Sequence, residues 1–161
     1  MPHPNAILLE RFYTAFRDLD APAMAACYTE DASFEDPVFS LHGAGEIAAM
    51  WTMLCEAVKD KGRDAWRLEF SAIEADDFHG SAHWEPHYRF SATGRMVHNV
   101  IDACFVFDGG RIQHHHDSFS FWRWSRQALG APGWLLGWTP LLRGKVRQQA
   151  ARNLQRFRAS G

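Results

Sequence analysis

Between Asn5 and Asp18 the apolar positions Leu8, Phe12, Ala15 and Phe16, continued by Leu19, return at steps of three and four residues. That period gathers them on one face of an α-helix. A short second helix is expected after Pro22, ending near Tyr28. The stretch "ASFEDPVF" then reads as a short strand interrupted at Pro37, whose nitrogen has no hydrogen to give a ladder. Past Gly43 and Gly45, "EIAAMWTMLCEAV" is rich in strong helix formers and predicts a third helix that stops before "KDKGRD".

From Trp66 the period drops to two. The stretches "WRLEFSAI", "SAHWEPHYRF", "RMVHNVIDACFVF" and "RIQHHHDSFSFW", separated by short Gly-, Asp- and Ser-rich turns, predict four antiparallel strands in a meander. The loop Asp108, Gly109, Gly110 suits a three-residue turn, which sets Phe107 against Arg111, Ala103 against His115 and Ile101 against Asp117. Odd-numbered Asn99, Ile101, Ala103, Phe105, His115, Asp117, Phe119 and Phe121 then share the inner face. His98, Asp102, His114, His116 and Ser118 share the outer one. A two-residue turn would shift the pairing by one, so the register around Asp102 and Ala103 stays open.

The last quarter follows a different pattern. Thr139 and Pro140 form a helix start, a hydroxyl cap before a proline in the first turn. Leu142, Val146, Ala150, Asn153 or Leu154, and Phe157 then make one apolar stripe among arginines. Charge sharpens the contrast: no Asp or Glu follows Asp117, while residues 123–161 hold eight of the 17 Lys and Arg and the first 122 residues carry a net −10. A basic segment beside an acidic body is expected to fold onto it, with docking of the C-terminal helix to a membrane surface as the lesser alternative. Nucleic acid is not an expected partner, since no recognition motif accompanies the charge.

At 161 residues and 47% hydrophobic content the chain can bury the core of one domain. No leader pattern or membrane-spanning run is visible, and Cys27, Cys55 and Cys104 are odd in number and widely spaced. A cytoplasmic protein with reduced thiols is the expectation.

Three constellations carry candidate chemistry. Asp36 sits between Phe34 and the run Pro37, Val38, Phe39, so it is either a turn residue or an acid held in an apolar cavity. His115 and Asp117, two apart on one strand, point the same way, and the carboxylate can orient the imidazole for proton transfer. His114 and His116 have the spacing of metal ligands, but no carboxylate or cysteine is placed to complete a shell, and no metal is expected.

The segments "YTEDASFEDPVF", "LHGAGEIAAMW" and "FVFDGGRIQ" leading to "HHHDSF" resemble the SnoaL-like and ketosteroid-isomerase-like branch of the nuclear transport factor 2 superfamily. The resemblance covers roughly residues 5 to 122. It implies an α+β cone, a curved antiparallel sheet wrapped around the N-terminal helices, with residues 1–122 as the cone and 123–161 as an arginine-rich helical extension packed on it. It also implies an apolar pocket, a homodimer and chemistry without a cofactor. "FEDP" resembles the segment that carries the isomerase base, which puts Asp36 in that role. The partner positions of the isomerase fall on Phe12 and Ala103, with Tyr13 and Asp102 one place away. Asp117 resembles the acid of the polyketide cyclases, whereas the Asp, Arg, Asp set of limonene epoxide hydrolase-like enzymes has no counterpart arginine.

Catalytic residues are accordingly expected at Asp36, His115 and Asp117. Phe12, Tyr13, Phe34, Trp51, Trp84, Tyr88, Asn99, Ile101 and Phe119 are expected around a small apolar ligand. The function implied is isomerase, cyclase or dehydratase chemistry on a small carbonyl compound; the alternative is a non-catalytic ligand-binding or dimerisation module.

Overall fold

The structure is a computed structural model that describes residues 1–160. Helix α1 (Pro4–Arg17) turns Leu9, Phe12, Tyr13 and Phe16 inward, with Leu8 only partly covered. Helix α2 (Ala21–Ala25) is shorter than the sequence suggests, and Tyr28 opens strand β1 (Tyr28–Glu35). The expected break at Pro37 is a hairpin: β1 turns through Asp36 to Phe39 into β2 (Ser40–His42), pairing Glu35 with Ser40. Helix α3 (Ala44–Lys61) follows and buries Ile47, Met50, Trp51 and Cys55.

The strands of the second half are β3 (Arg67–Ala75), β4 (His79–Arg89), β5 (Met96–His98), β6 (Ile101–Asp108) and β7 (Arg111–Ser118). With β1 and β2 they form one curved seven-stranded sheet in the order β2-β1-β7-β6-β4-β3, in which β5 extends the pairing with β4. It is mixed, because β1 runs parallel to β7 while the remaining pairs are antiparallel. Curvature has a local cause in β3. An extra residue between Ser71 and Glu74, with Ala72 at φ 54°, makes a bulge that bends the strand. The stretch expected as one strand from Arg95 splits at Asn99 and Val100 for an equally local reason. The Asn99 amide donates to the Pro86 carbonyl at 3.1 Å, but Pro86 has no N–H to return.

The hairpin between β6 and β7 corrects the expected register. Gly109 and Gly110, at φ 58° and 80°, form a two-residue turn that pairs Asp108 with Arg111. A bulge then leaves Gln113 unpaired and sets Phe105 opposite His115 and Ala103 opposite Asp117. The two one-residue shifts cancel in parity. The inner and outer faces are therefore those read from the alternation, while beyond the bulge each partner lies two residues from its expected place. Asp102 is outward, paired with His83, and Ala103 is inward and buried.

The fourth expected strand also ends early, at Ser118, because the chain turns into helix α4 (Phe121–Leu129), capped by the Ser120 hydroxyl at the Arg123 amide. Helix α5 (Ala131–Leu136) and helix α6 (Pro140–Ser160) complete the chain. Helix α6 crosses α3, burying Leu154 against the main core, and Arg158 lies 3.7 Å from Glu46. A second apolar cluster joins Val97 to Phe121, Trp124 and Ala128, with Val38, Tyr88, Phe119, Leu142 and Val146 packed around it. The C-terminal helices therefore cover the end of the sheet beside Asp36.

Candidate functional site

Inside the cone the side chains of α1, α3 and the sheet meet ring against ring. His115 is surrounded by Phe34, Phe105, Phe12 and Trp51, with ring centroids 4.9, 4.4, 5.8 and 6.3 Å away. Tyr13 stacks on Phe70 at 5.5 Å and lies beside Trp84 at 5.9 Å. Such a shell excludes water, so every polar atom within it must find a partner or bear the cost of lacking one.

Most do find one, in a single directed chain. The indole Nε1 of Trp51 donates to the Tyr28 hydroxyl (3.1 Å), and that hydroxyl meets His115 Nδ1 at 2.8 Å. His115 Nε2 lies 2.9 Å from Asp117 Oδ1, and Trp84 Nε1 donates to the same oxygen at 3.3 Å. The Asp117 carboxylate can only accept, so the imidazole proton belongs on Nε2 and Nδ1 is left to accept the Tyr28 proton. A neutral imidazole then donates through Nε2 to Asp117. The second carboxylate oxygen of Asp117 takes no hydrogen bond among the described residues. Among the described residues Tyr13 Oη is the buried side-chain polar atom left without a partner. Burial raises the Tyr13 and Tyr28 hydroxyls well above the usual tyrosine range, and the nearby Asp117 charge adds to both rises.

Asp36 is both a turn residue and an acid in apolar surroundings. Its Oδ1 accepts the Val38 and Phe39 amides at 2.7 and 2.6 Å, and its own amide donates to the Phe39 carbonyl. Its Oδ2 takes no hydrogen bond among the described residues. Burial pushes the carboxyl up from 3.8 to about 6, against the pull of the Phe39 and Val38 amides; the Asp117 charge adds to the rise and His115 opposes it. The two acids thus lie within each other's field. Helix α6 ties down this turn from outside, since Arg143 Nε and Arg147 Nη1 donate to the Pro37 carbonyl at 3.3 and 3.1 Å.

The other expected residues fall in two groups. Phe12, Tyr13, Phe34, Trp51, Trp84 and Ile101 are all buried in the main core. Tyr88, half-buried on β4, accepts from Trp124 Nε1 at 2.8 Å, and its hydroxyl is pushed up to about 12 by burial. Asn99 is buried beside Pro86, its Oδ1 held by the Val100 amide, and Phe119 bridges the two apolar clusters. Tyr28, where the sequence pattern suggests the end of a helix, is a site residue that the pattern does not single out. The available signal is the apolar spacing of Tyr28, Ala32 and Phe34, which are buried positions of β1. On the outer face His83 bonds Asp102 and Glu85, and His98 bonds Glu85. His114 meets Ser33 there, and no group of three or more ligating side chains among the described residues is arranged to hold a metal ion.

Several solved structures share this architecture. An NTF2-like protein of unknown function from Burkholderia pseudomallei superposes with a TM-score of 0.64 at 18% identity, over 79% of this chain and 98% of that one. An LEH-like epoxide hydrolase from M. tuberculosis gives 0.62 at 18% identity, over 86% and 95%. A candidate polyketide cyclase from Pseudomonas putida gives 0.62 at 20% identity, over 80% and 98%. These likenesses establish the fold. No curated protein matches the chain. The sequence profile of the SnoaL-like domain matches residues 9–115, from α1 to the buried histidine of β7, and the chain belongs to that family.

Proposed function

We propose that the protein moves a proton on a small apolar carbonyl compound, with Asp36 as the base, in an isomerase, cyclase or dehydratase type of reaction. The observation that carries this reading is the pair of unlike carboxyls. Asp117 has one oxygen held by two N–H donors, while Asp36 is pushed up to about 6 with Oδ2 free of protein partners among the described residues. Two acids whose surroundings differ in this way divide the labour of acid and base near neutral pH. Tyr13 Oη, a buried donor with no partner among the described residues, supplies the hydrogen bond that a developing enolate oxygen needs. His115 and Tyr28 do not touch the substrate in this scheme; they hold Asp117 in orientation. The relatives include a candidate polyketide cyclase, which fits the class of reaction. No cofactor is needed for the transfer, and the assembly is a homodimer.

A second reading has its own observation. The interior is packed ring on ring around His115, as in a core rather than a vessel, so a non-catalytic module of the same fold is the alternative. The two readings part in one experiment. Small cyclic ketones are incubated with the protein in deuterium oxide, and exchange at the carbon beside the carbonyl is followed by NMR. Catalysed exchange that rises as pH passes about 6 and is lost in Asp36→Asn supports the base. Exchange equal in wild type and Asp36→Asn refutes it, and no exchange with any ketone favours the module.

A further inference from the structure

The apolar stripe of α6, the contact face expected for the C-terminal segment, is spent on the protein itself. Leu154 is buried in the main core, and Leu142 and Val146 join the second cluster. The apolar surface left uncovered lies on α5, the turn after it and the first turn of α6. Trp134, Leu135, Leu136, Trp138 and Leu141 are 56%, 71%, 46%, 74% and 66% exposed. Isolated exposed apolar side chains are ordinary, but five large ones within eight residues are not.

What surrounds them decides the partner. A depression of about 540 Å³ is lined by Arg95, Met96, Arg126, Gln127 and Trp134. In it the Arg126 guanidinium sits 4.1 and 4.6 Å from the ring centres of Trp122 and Trp134. The two rings, set 88° apart, fix the cation in place, and its N–H groups donate to no group among the described residues. Among the described residues Arg126 makes no ion pair, whereas Arg67, Arg89 and Arg158 each meet a carboxylate. The Arg95 guanidinium, anchored through Nε to the Gln127 carbonyl at 2.8 Å, lines the same depression. No acid follows Asp117 anywhere in the segment. We propose that α5 and the Trp138 turn form a surface that docks on an anionic lipid bilayer, with Trp134, Leu135, Trp138 and Leu141 entering the interface and Arg95 and Arg126 seating headgroup phosphates. Tryptophan beside leucine, rimmed by arginine and free of acids, suits the boundary between headgroups and acyl chains. A symmetric contact with a second copy would bury Arg95 and Arg126 of both copies in one seam to which residues 118–161 bring no acid, which disfavours that occupant.

The test is flotation of the full chain with vesicles of phosphatidylcholine alone and of phosphatidylcholine mixed with phosphatidylglycerol. Binding is expected to the mixed vesicles only, to weaken as salt is raised, and to shift tryptophan emission to the blue. Leu135→Ser with Trp138→Ser, both exposed and outside the core, is expected to lower the affinity by at least about tenfold. Arg126→Gln is expected to lower it and flatten the salt dependence. Should the serine variant fold poorly, Leu141→Ser serves in its place. The proposal is overturned if wild type ignores anionic vesicles at low salt, or if the serine variant binds them as well as wild type does. It is equally overturned if sedimentation shows a wild-type dimer that the serine variant dissolves, which would make the patch a contact between copies.

Discussion

Asp36→Asn separates the two roles of that side chain. The carboxyl rises from 3.8 to about 6 on folding, chiefly through burial. A raised acid binds its proton more readily in the folded chain than in the unfolded one. The associated stability is therefore fully present below about pH 4 and is lost as pH climbs through about 6. A rise of that size corresponds to about 3 kcal/mol, and to roughly 2 kcal/mol once solvent screening is allowed for, because the side chain is only half-buried. Asparagine resembles the neutral acid and keeps an Oδ1 to accept the Val38 and Phe39 amides. The variant should thus gain on wild type by about 2 kcal/mol between about pH 4 and about pH 8, equivalent to about 4–8 °C in melting temperature for a chain of this length. Urea unfolding of both proteins across that range is the assay, with exchange activity measured in parallel. A stability difference that stays constant with pH, or one that turns against the variant as pH rises, would refute the reasoning.

Removing the hydroxyl in Tyr13→Phe relieves a buried unpartnered donor, so stability should hold or rise by about 1 kcal/mol in thermal unfolding while proton exchange falls. His115→Phe should cost about 3–5 kcal/mol by urea unfolding, because it leaves the Tyr28 proton without an acceptor and the buried Asp117 carboxylate with only the Trp84 donor. Ending the chain after Gly137 removes α6 and with it the cover over Val38 and Phe119; the melting temperature should drop, and a dye that reports exposed apolar surface should bind. Chelation should leave both melting temperature and exchange activity unchanged.

Periodicity made the helices, the strands and the two faces of β6 and β7 legible, because a helical or strand period is a property of the local chain and survives small errors of alignment. The face carrying His115 and Asp117 came out correctly even with a wrong turn, since the two-residue glycine turn and the bulge at Gln113 each moved the pairing by one and together restored the parity. Asp36 was equally readable in both of its guises, as an Asx turn before Pro37 and as an acid among apolar neighbours. What no local pattern carries is which distant groups meet. The Trp51, Tyr28, His115 and Asp117 chain draws on α3, β1 and β7, and its hydrogen bonds depend on a parallel pairing of β1 with β7 that periodicity does not specify. The C-terminal segment shows the same division. Its stripe on α6 was visible as helical spacing, but that it is consumed by the core while Trp134 and Trp138 remain outside follows from how α4, α5 and α6 fold over the sheet. Amphipathic spacing says that a face will be covered, and only packing in three dimensions says by what.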